Sequence, residues 1–263
     1  MSTRMSRRVT MCSYPIPRLC VACVLWIFLA ASGSSAQEQM WSLSVSAGIA
    51  QMNLDQVDGD NQRDVDGWNA QGVFVPPFTS VKSALMVAAK ATYRFERDIV
   101  LSLSAANAQQ KVSTAYDTPE AKLSMTRSVG FTDLLFGVAY YFPIAPLRAE
   151  TYVETEAGVM FARADAEAYG TQTTKVVDST QTTIIADTKG IFRYTKPIVN
   201  VAVGANITIL EPFFVRLQAQ YKFGNVGTME GDVTRFGEKR REETTIEFNY
   251  SGFLFTLGVG IAF

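Results

Sequence analysis

The chain has 263 residues, 48% of them hydrophobic, with 24 Lys and Arg, 25 Asp and Glu and no His. That apolar content excludes wholesale disorder, and the length allows one or two domains. Four of the basic residues, Arg4, Arg7, Arg8 and Arg18, fall in the first 36 positions, which hold no acid; the other 227 residues keep 20 basic against 25 acidic, a net charge of −5 that argues against a nucleic-acid partner.

Residues 1–36 read as an export signal that is removed. A basic start through Arg18 precedes the apolar run "LCVACVLWIFLAA" from Leu19 to Ala31, and "SGSSA" puts the small residues Ser34 and Ala36 at a cleavage site, with Ala36 the last residue before the cut. Thirteen apolar residues are too few for a bilayer core, which takes about 20. Cys12, Cys20 and Cys23 all lie in this segment, so the domain 37–263 is expected to hold together without disulfides. Beyond the signal no stretch approaches 18 uncharged apolar residues, so a membrane crossing by 37–263 would use strands, not helices.

Strict alternation, the mark of a strand, then recurs in eight segments. "WSLSVSAGIA" sets Trp41, Leu43, Val45 and Ile49 against Ser42, Ser44 and Ser46. "ALMVAAKATYRF" sets Leu85, Val87, Tyr93 and Phe95 against Lys90, Thr92 and Arg94, and "IVLSLSAA" and "DLLFGVAYYF" follow the same pattern, with Asp133 on the second face. "ETYVETEAGVMF" opposes Val153, Val159 and Phe161 to Glu150, Glu154 and Glu156, and "IVNVAVGANITI" alternates Val and Ile with Asn200, Gly204, Asn206 and Thr208. "FFVRLQAQYKF" opposes Phe213, Val215, Leu217 and Tyr221 to Arg216, Gln218, Gln220 and Lys222, and the last segment, "SGFLFTLGVGIAF", alternates to Phe263.

The apolar face of all eight segments lacks Asp, Glu, Lys and Arg, as expected where a lipid-facing charge costs about 2–4 kcal/mol at mid-bilayer. The other face, rich in Ser, Gly, Ala, Thr and Asn, suits a narrow polar interior. Connections alternate in length: "ERD", "PIAPLRA" and "LEP" are short, whereas 52–82, 109–128, 164–196 and 224–246 are long and polar. These features predict an all-β fold, a closed antiparallel eight-stranded transmembrane β-barrel with short periplasmic turns, long extracellular loops and both termini on the periplasmic side.

The terminal pattern Phe255, Leu257, Val259, Ile261 and Phe263 resembles the C-terminal assembly signal of bacterial outer-membrane proteins, and the domain 37–263 resembles the small eight-stranded barrels typified by the OmpA transmembrane domain, OmpX, OmpW and the opacity proteins. The resemblance implies a Gram-negative outer-membrane location, with lipid, lipopolysaccharide and, during biogenesis, the barrel-assembly machinery as partners. The long loops and the balanced lumen charges favour surface display and envelope stability, with a host or cell-surface ligand met by the loops; the resemblance to OmpW implies the alternative, a narrow porin-like channel for ions or small solutes, hydrophobic ones among them.

No chemistry competes with these roles at the level of residue types. With no His, the usual general base of outer-membrane hydrolases is missing, and with no Cys after residue 36, thiol catalysis and Cys/His metal sites are excluded; neither an enzyme nor a cofactor is expected. The candidate site is the lumen, where alternation places Lys90, Arg94, Arg216 and Lys222 with Asp133, Glu150, Glu154 and Glu156. In a bore barely wide enough for side chains, four charges of each sign are expected to pair across it, as a plug or as a gate. The acidic stretch "LDQVDGDNQRDVDG" lacks EF-hand spacing, since from Asp58 the sixth position is Arg63 where Gly is needed, and it is read as a solvated loop. The repeat "TQTTKVVD" and "TQTTIIAD" about Ser179 predicts a hairpin projecting beyond the barrel.

Overall fold

Eight long strands close on one another. The computed structural model describes residues 40–144, 148–176, 179–244 and 247–263, and of 175, 176 and 179 the backbone alone; the predicted signal and its cleavage site at Ala36 lie outside the described residues. Strands β1 (Trp41–Gln51), β2 (Ser83–Arg94), β3 (Ile99–Asp117), β4 (Ala121–Ile144), β5 (Ala149–Val176), β6 (Ser179–Leu210) and β7 (Phe213–Phe223) each pair antiparallel with the next. The last strand, β12 (Gly252–Ala262), pairs with both β7 and β1 and shuts the ring. Between β7 and β12 run β8 (Asn225–Gly227), β9 (Glu230–Arg235), β10 (Glu238–Glu243) and β11 (Phe248–Asn249). A helix, α1 (Asp55–Ala70), follows β1.

Alternation decides which residues face out. Val45, Leu85, Leu103, Phe136, Val153, Val203, Leu217 and Leu257 are among the many exposed apolar side chains, while their strand neighbours Ser44, Ser102, Glu154, Ala202 and Arg216 are buried inside. The exterior is thus an apolar belt, with aromatic residues toward both edges. Trp41 and Tyr93 lie 4.7 Å apart between centroids and Tyr140 and Phe142 4.8 Å at the short-turn edge, and Tyr221 lies 5.0 Å from Phe253 at the other. From Phe213 to Phe223 is ten residue steps along β7; at about 3.3 Å each and a tilt near 40°, the belt is about 25 Å tall, the height of a lipid-facing band.

The long-loop end departs from the sequence reading in two ways. Segments 109–128 and 164–196, expected as polar loops, are mostly strand: β3 and β4 pair out to Asp117 and Lys122, and β5 and β6 out to Val176 and Ser179. Past the belt neither face needs to be apolar, so alternation fades while the Thr- and Val-rich composition keeps the chain extended. The hairpin expected from the repeat is present, with Thr173 opposite Thr182, and its turn at 177–178 lies outside the described residues. In the last long connection β9 pairs with β6 at 188–193 and turns into β10 through Phe236 and Gly237, both at positive φ.

The acidic stretch read as a solvated loop is instead helix α1. Val57, Asn61 and Val65 repeat every fourth residue and are buried. Val57 joins Leu54, Met86, Phe131, Leu135, Met160, Tyr250 and Leu254 in one core that runs from the lumen into the cap, and Val65 joins Val73, Val75, Leu123 and Met125 in a second core. Polar ties fix the cap. Asp58 accepts from the Val81 amide at 2.8 Å and from the Ser80 hydroxyl, Asn69 accepts from the Val75 amide at 2.8 Å, and Asp64 pairs with Arg127 of β4.

Candidate functional site

The lumen is filled in layers, and the strand spacing sets their order. At the short-turn rim Arg94 of β2 makes two hydrogen bonds to Glu150 of β5, at 2.9 and 2.7 Å, with about a third of each side chain exposed. Four residues deeper, Lys90 lies between Glu154, with which it pairs, and Glu156, at 3.1 Å. Ser102 and Ser104 of β3 donate to Glu154 and Glu156 at 2.6 and 2.8 Å. Lys222 of β7 pairs with Asp133 of β4, and its ammonium sits 2.9 Å from the centroid of the Phe131 ring. These pairs join strands three apart in the ring, so they cross the bore rather than line its wall.

Glycine makes the room. A Cβ on Gly137 of β4 would lie 2.5 Å from the Ser102 hydroxyl and 2.8 Å from Cγ of Glu156, so a larger residue would displace the carboxylates. A Cβ on Gly204 would lie 2.4 Å from the Tyr152 ring, which stacks on Tyr141 at 5.0 Å. The Tyr152 hydroxyl donates to Gln218 at 3.1 Å, another link between non-adjacent strands.

Of the eight lumen charges named from sequence, the structure brings seven into ion pairs. Among the described residues Arg216 has no carboxylate within 4.0 Å, although it is buried. Its Nε donates to Asn206 and its Nη1 to Ser44, both at 2.9 Å, and its guanidinium lies 5.4 and 5.8 Å from the centroids of the Phe214 and Tyr152 rings. Among the described residues its Nη2 has no hydrogen-bond partner, nor do either side-chain polar atom of Asn200 or Oδ1 of Asp133.

Two small lumen cavities flank these groups. One, of about 30 Å³, touches Lys90, Asp133, Glu156 and Arg216, and the other, of about 60 Å³, opens between Arg94, Glu150 and Trp41 at the short-turn rim. A water molecule's share of liquid is about 30 Å³, so each has room for one or two waters. Around and above the Lys222–Asp133 pair the lumen is apolar, filled by Met86, Leu135, Met160, Ile198 and Leu254 and closed by Phe131 and Tyr250 beneath the cap. That plug was not anticipated. Its signal was present in the sequence, since these apolar residues sit at lumen positions of otherwise polar faces, toward the long-loop ends of the alternating segments.

The five residues named as an assembly signal end the chain. Phe255, Leu257 and Val259 are exposed on the outside of β12, Ile261 is buried, and Phe263 follows the strand and is exposed. No group of three or more potential metal-binding side chains occurs among the described residues.

No family model matches the chain, and no curated protein does. Similar solved structures do exist. A major outer membrane protein from Thermus thermophilus is 10% identical with a TM-score of 0.44, covering 85% of this chain and 99% of its own. Neisserial surface protein A is 10% identical with a TM-score of 0.41, over 86% and 98%. The outer membrane protease OmpT from Escherichia coli is 8% identical with a TM-score of 0.32, over 89% and 99%.

Proposed function

We propose that the chain is an integral outer-membrane barrel of a Gram-negative bacterium whose lumen is a structural plug and whose activity lies at its long-loop, outward-facing end. The observation that carries this reading is the filled bore. Charges meet across it, apolar side chains fill the space around and above the Lys222–Asp133 pair, and the two cavities beside the charges are water-sized. The exterior belt supports the membrane setting, because an apolar surface of that extent is stable in lipid and not in water, and a closed ring leaves no strand edge unsatisfied there. In this reading residues 1–36 direct export, the end of β12 is read by the barrel-assembly machinery, and lipopolysaccharide surrounds the outer rim.

The projecting β5–β6 hairpin is the contact element. Among the described residues β6 pairs from 180 to 187 with β5 alone, because β9 joins it from Thr188 onward. This free edge carries Thr, Gln and Ile with Asp187 its one charge, so it lacks the lysines that usually block strand addition. Deleting 171–187 is expected to leave a folded barrel that no longer binds cell surfaces or extracellular matrix in a whole-cell adhesion assay. Unchanged binding by the deletion variant sinks the display role.

Arg216 favours a second reading, a gated narrow channel. Its guanidinium is buried without a carboxylate partner among the described residues, and it borders the central cavity. This reading requires ion conductance that changes in Arg216→Ala.

A further inference from the structure

The free edge of β6 is a near-copy of the strand it already pairs with. Residues 171–174 and 180–183 both read Thr-Gln-Thr-Thr. The hairpin sets them antiparallel about Thr173 and Thr182, with Gln172 opposite Thr183 and Thr174 opposite Gln181. Within the repeat the third residue thus faces the third and the second faces the fourth, the register in which this sequence meets itself across a twofold axis. The Thr173 and Thr182 hydroxyls lie 3.4 Å apart on that axis.

The other side of Thr182 is open. The Thr173 amide donates to the Glu120 carbonyl, on the β4 side, at 2.7 Å. Opposite residues of an antiparallel ladder either bond each other or both turn away, so the Thr182 N–H and C=O turn away from β5, toward the side of β6 that β9 reaches only from Thr188. Thr180 to Ile184 carry no charge and no proline that would block a further strand, and Thr and Ile favour one.

We propose that this edge binds the same edge of a second copy of the chain, on a facing cell, by antiparallel strand addition. Thr182 then pairs with Thr182, Gln181 with Thr183 and Thr180 with Ile184, repeating the register of the hairpin. A second copy fits because the fold already seats this sequence against its own repeat. Strand direction decides where that copy lies. In every copy within one membrane β6 runs from the outer tip toward the short-turn rim, and rotation about the membrane normal preserves that direction. Antiparallel pairing needs the opposite direction, which a facing membrane supplies. The reach suffices: β5 continues from Phe161, at the outer edge of the belt, to Val176, which at about 3.3 Å per residue and a tilt near 40° lifts the tip about 40 Å. The inference rests on the display reading and names its partner.

The test expresses the full chain, whose residues 37–263 contain no Cys, on two bacterial populations, one green and one red, each shown to hold folded barrel by heat-modifiable mobility. Green and red cells are expected to clump together when both carry the chain and to stay dispersed when one lacks it. Thr182→Pro removes an N–H that the hairpin does not use, and Thr182→Lys puts a charge on the edge; each should abolish clumping. Thr182→Cys should give a disulfide-linked dimer under mild oxidation, because paired Cα atoms sit about 5.5 Å apart. Gln181→Cys alone should give none, and Gln181→Cys on green cells mixed with Thr183→Cys on red cells should give one. Clumping with cells that lack the chain, Thr182→Pro and Thr182→Lys cells that clump like the parent, or a Gln181→Cys dimer as abundant as that of Thr182→Cys overturns the proposal. So do cells that never clump although deletion of 171–187 abolishes their matrix binding, a result that keeps the display reading. Clumping and matrix binding that both survive the deletion overturn the two together.

Discussion

Lys222 and Asp133 form an ion pair across the barrel from β7 and β4, with 0% and 2% of their side chains exposed. Charges buried this fully stabilise only as a pair, because removal of one leaves the other without water or counter-ion. Asp133→Asn should therefore destabilise the barrel by about 3–5 kcal/mol, whereas the double change Asp133→Leu with Lys222→Met should recover most of the loss. Urea unfolding in detergent, followed by the loss of heat-modifiable mobility, measures both.

Lys90 serves two carboxylates, so its loss should cost more. Lys90→Met leaves Glu154 and Glu156, each 2% exposed or less, facing the same site without a cation. Refolding yield should fall below that of Asp133→Asn, and adding Glu156→Gln should raise it again by removing one of the two like charges. A double variant that folds no better than Lys90→Met contradicts the assignment of Lys90 as the bridge between them.

The cap should be separable from the barrel. Val65 is buried in the core that joins α1 to β4, and burying a valine contributes about 1.5–3 kcal/mol. Val65→Asp is expected to release α1, seen as rapid proteolysis within residues 55–70, while the eight-stranded ring stays folded and heat-modifiable. Protection equal to that of the parent chain shows that Val65 does not anchor the helix.

The exterior belt predicts a cost that depends on depth. Leu257 lies mid-strand on β12, opposite Ala47 and Leu217, whereas Phe223 ends β7. Leu257→Arg should destabilise the protein in lipid vesicles by about 2–4 kcal/mol and Phe223→Arg by about 0–1 kcal/mol. Equal costs at the two positions contradict a bilayer centred on the belt.

The barrel was legible in the sequence because lipid imposes one rule on every outward residue, and eight segments free of charge on one face satisfy it together. The same parity placed Arg94, Lys90, Glu154 and Lys222 in the bore. Which of them meet was not legible: Lys90 reaches β5 and Lys222 reaches β4 only once strand tilt and register are set, and neither leaves a local trace. Helix α1 was hidden for another reason. Its five aspartates and Gly59 and Gly67 are poor helix formers, and the helix is held by tertiary contacts of Val57 and Val65. Their spacing with Asn61 between them was the one available sign.

The display reading of the long-loop end depends on the bore being shut, and single-channel recording tests that most directly. Folded 37–263 protein inserted in planar bilayers should give no discrete current steps, and Arg216→Ala should be equally silent. Reproducible steps from the parent protein whose size changes in Arg216→Ala would contradict the plug and make the lumen charges the gate of a channel.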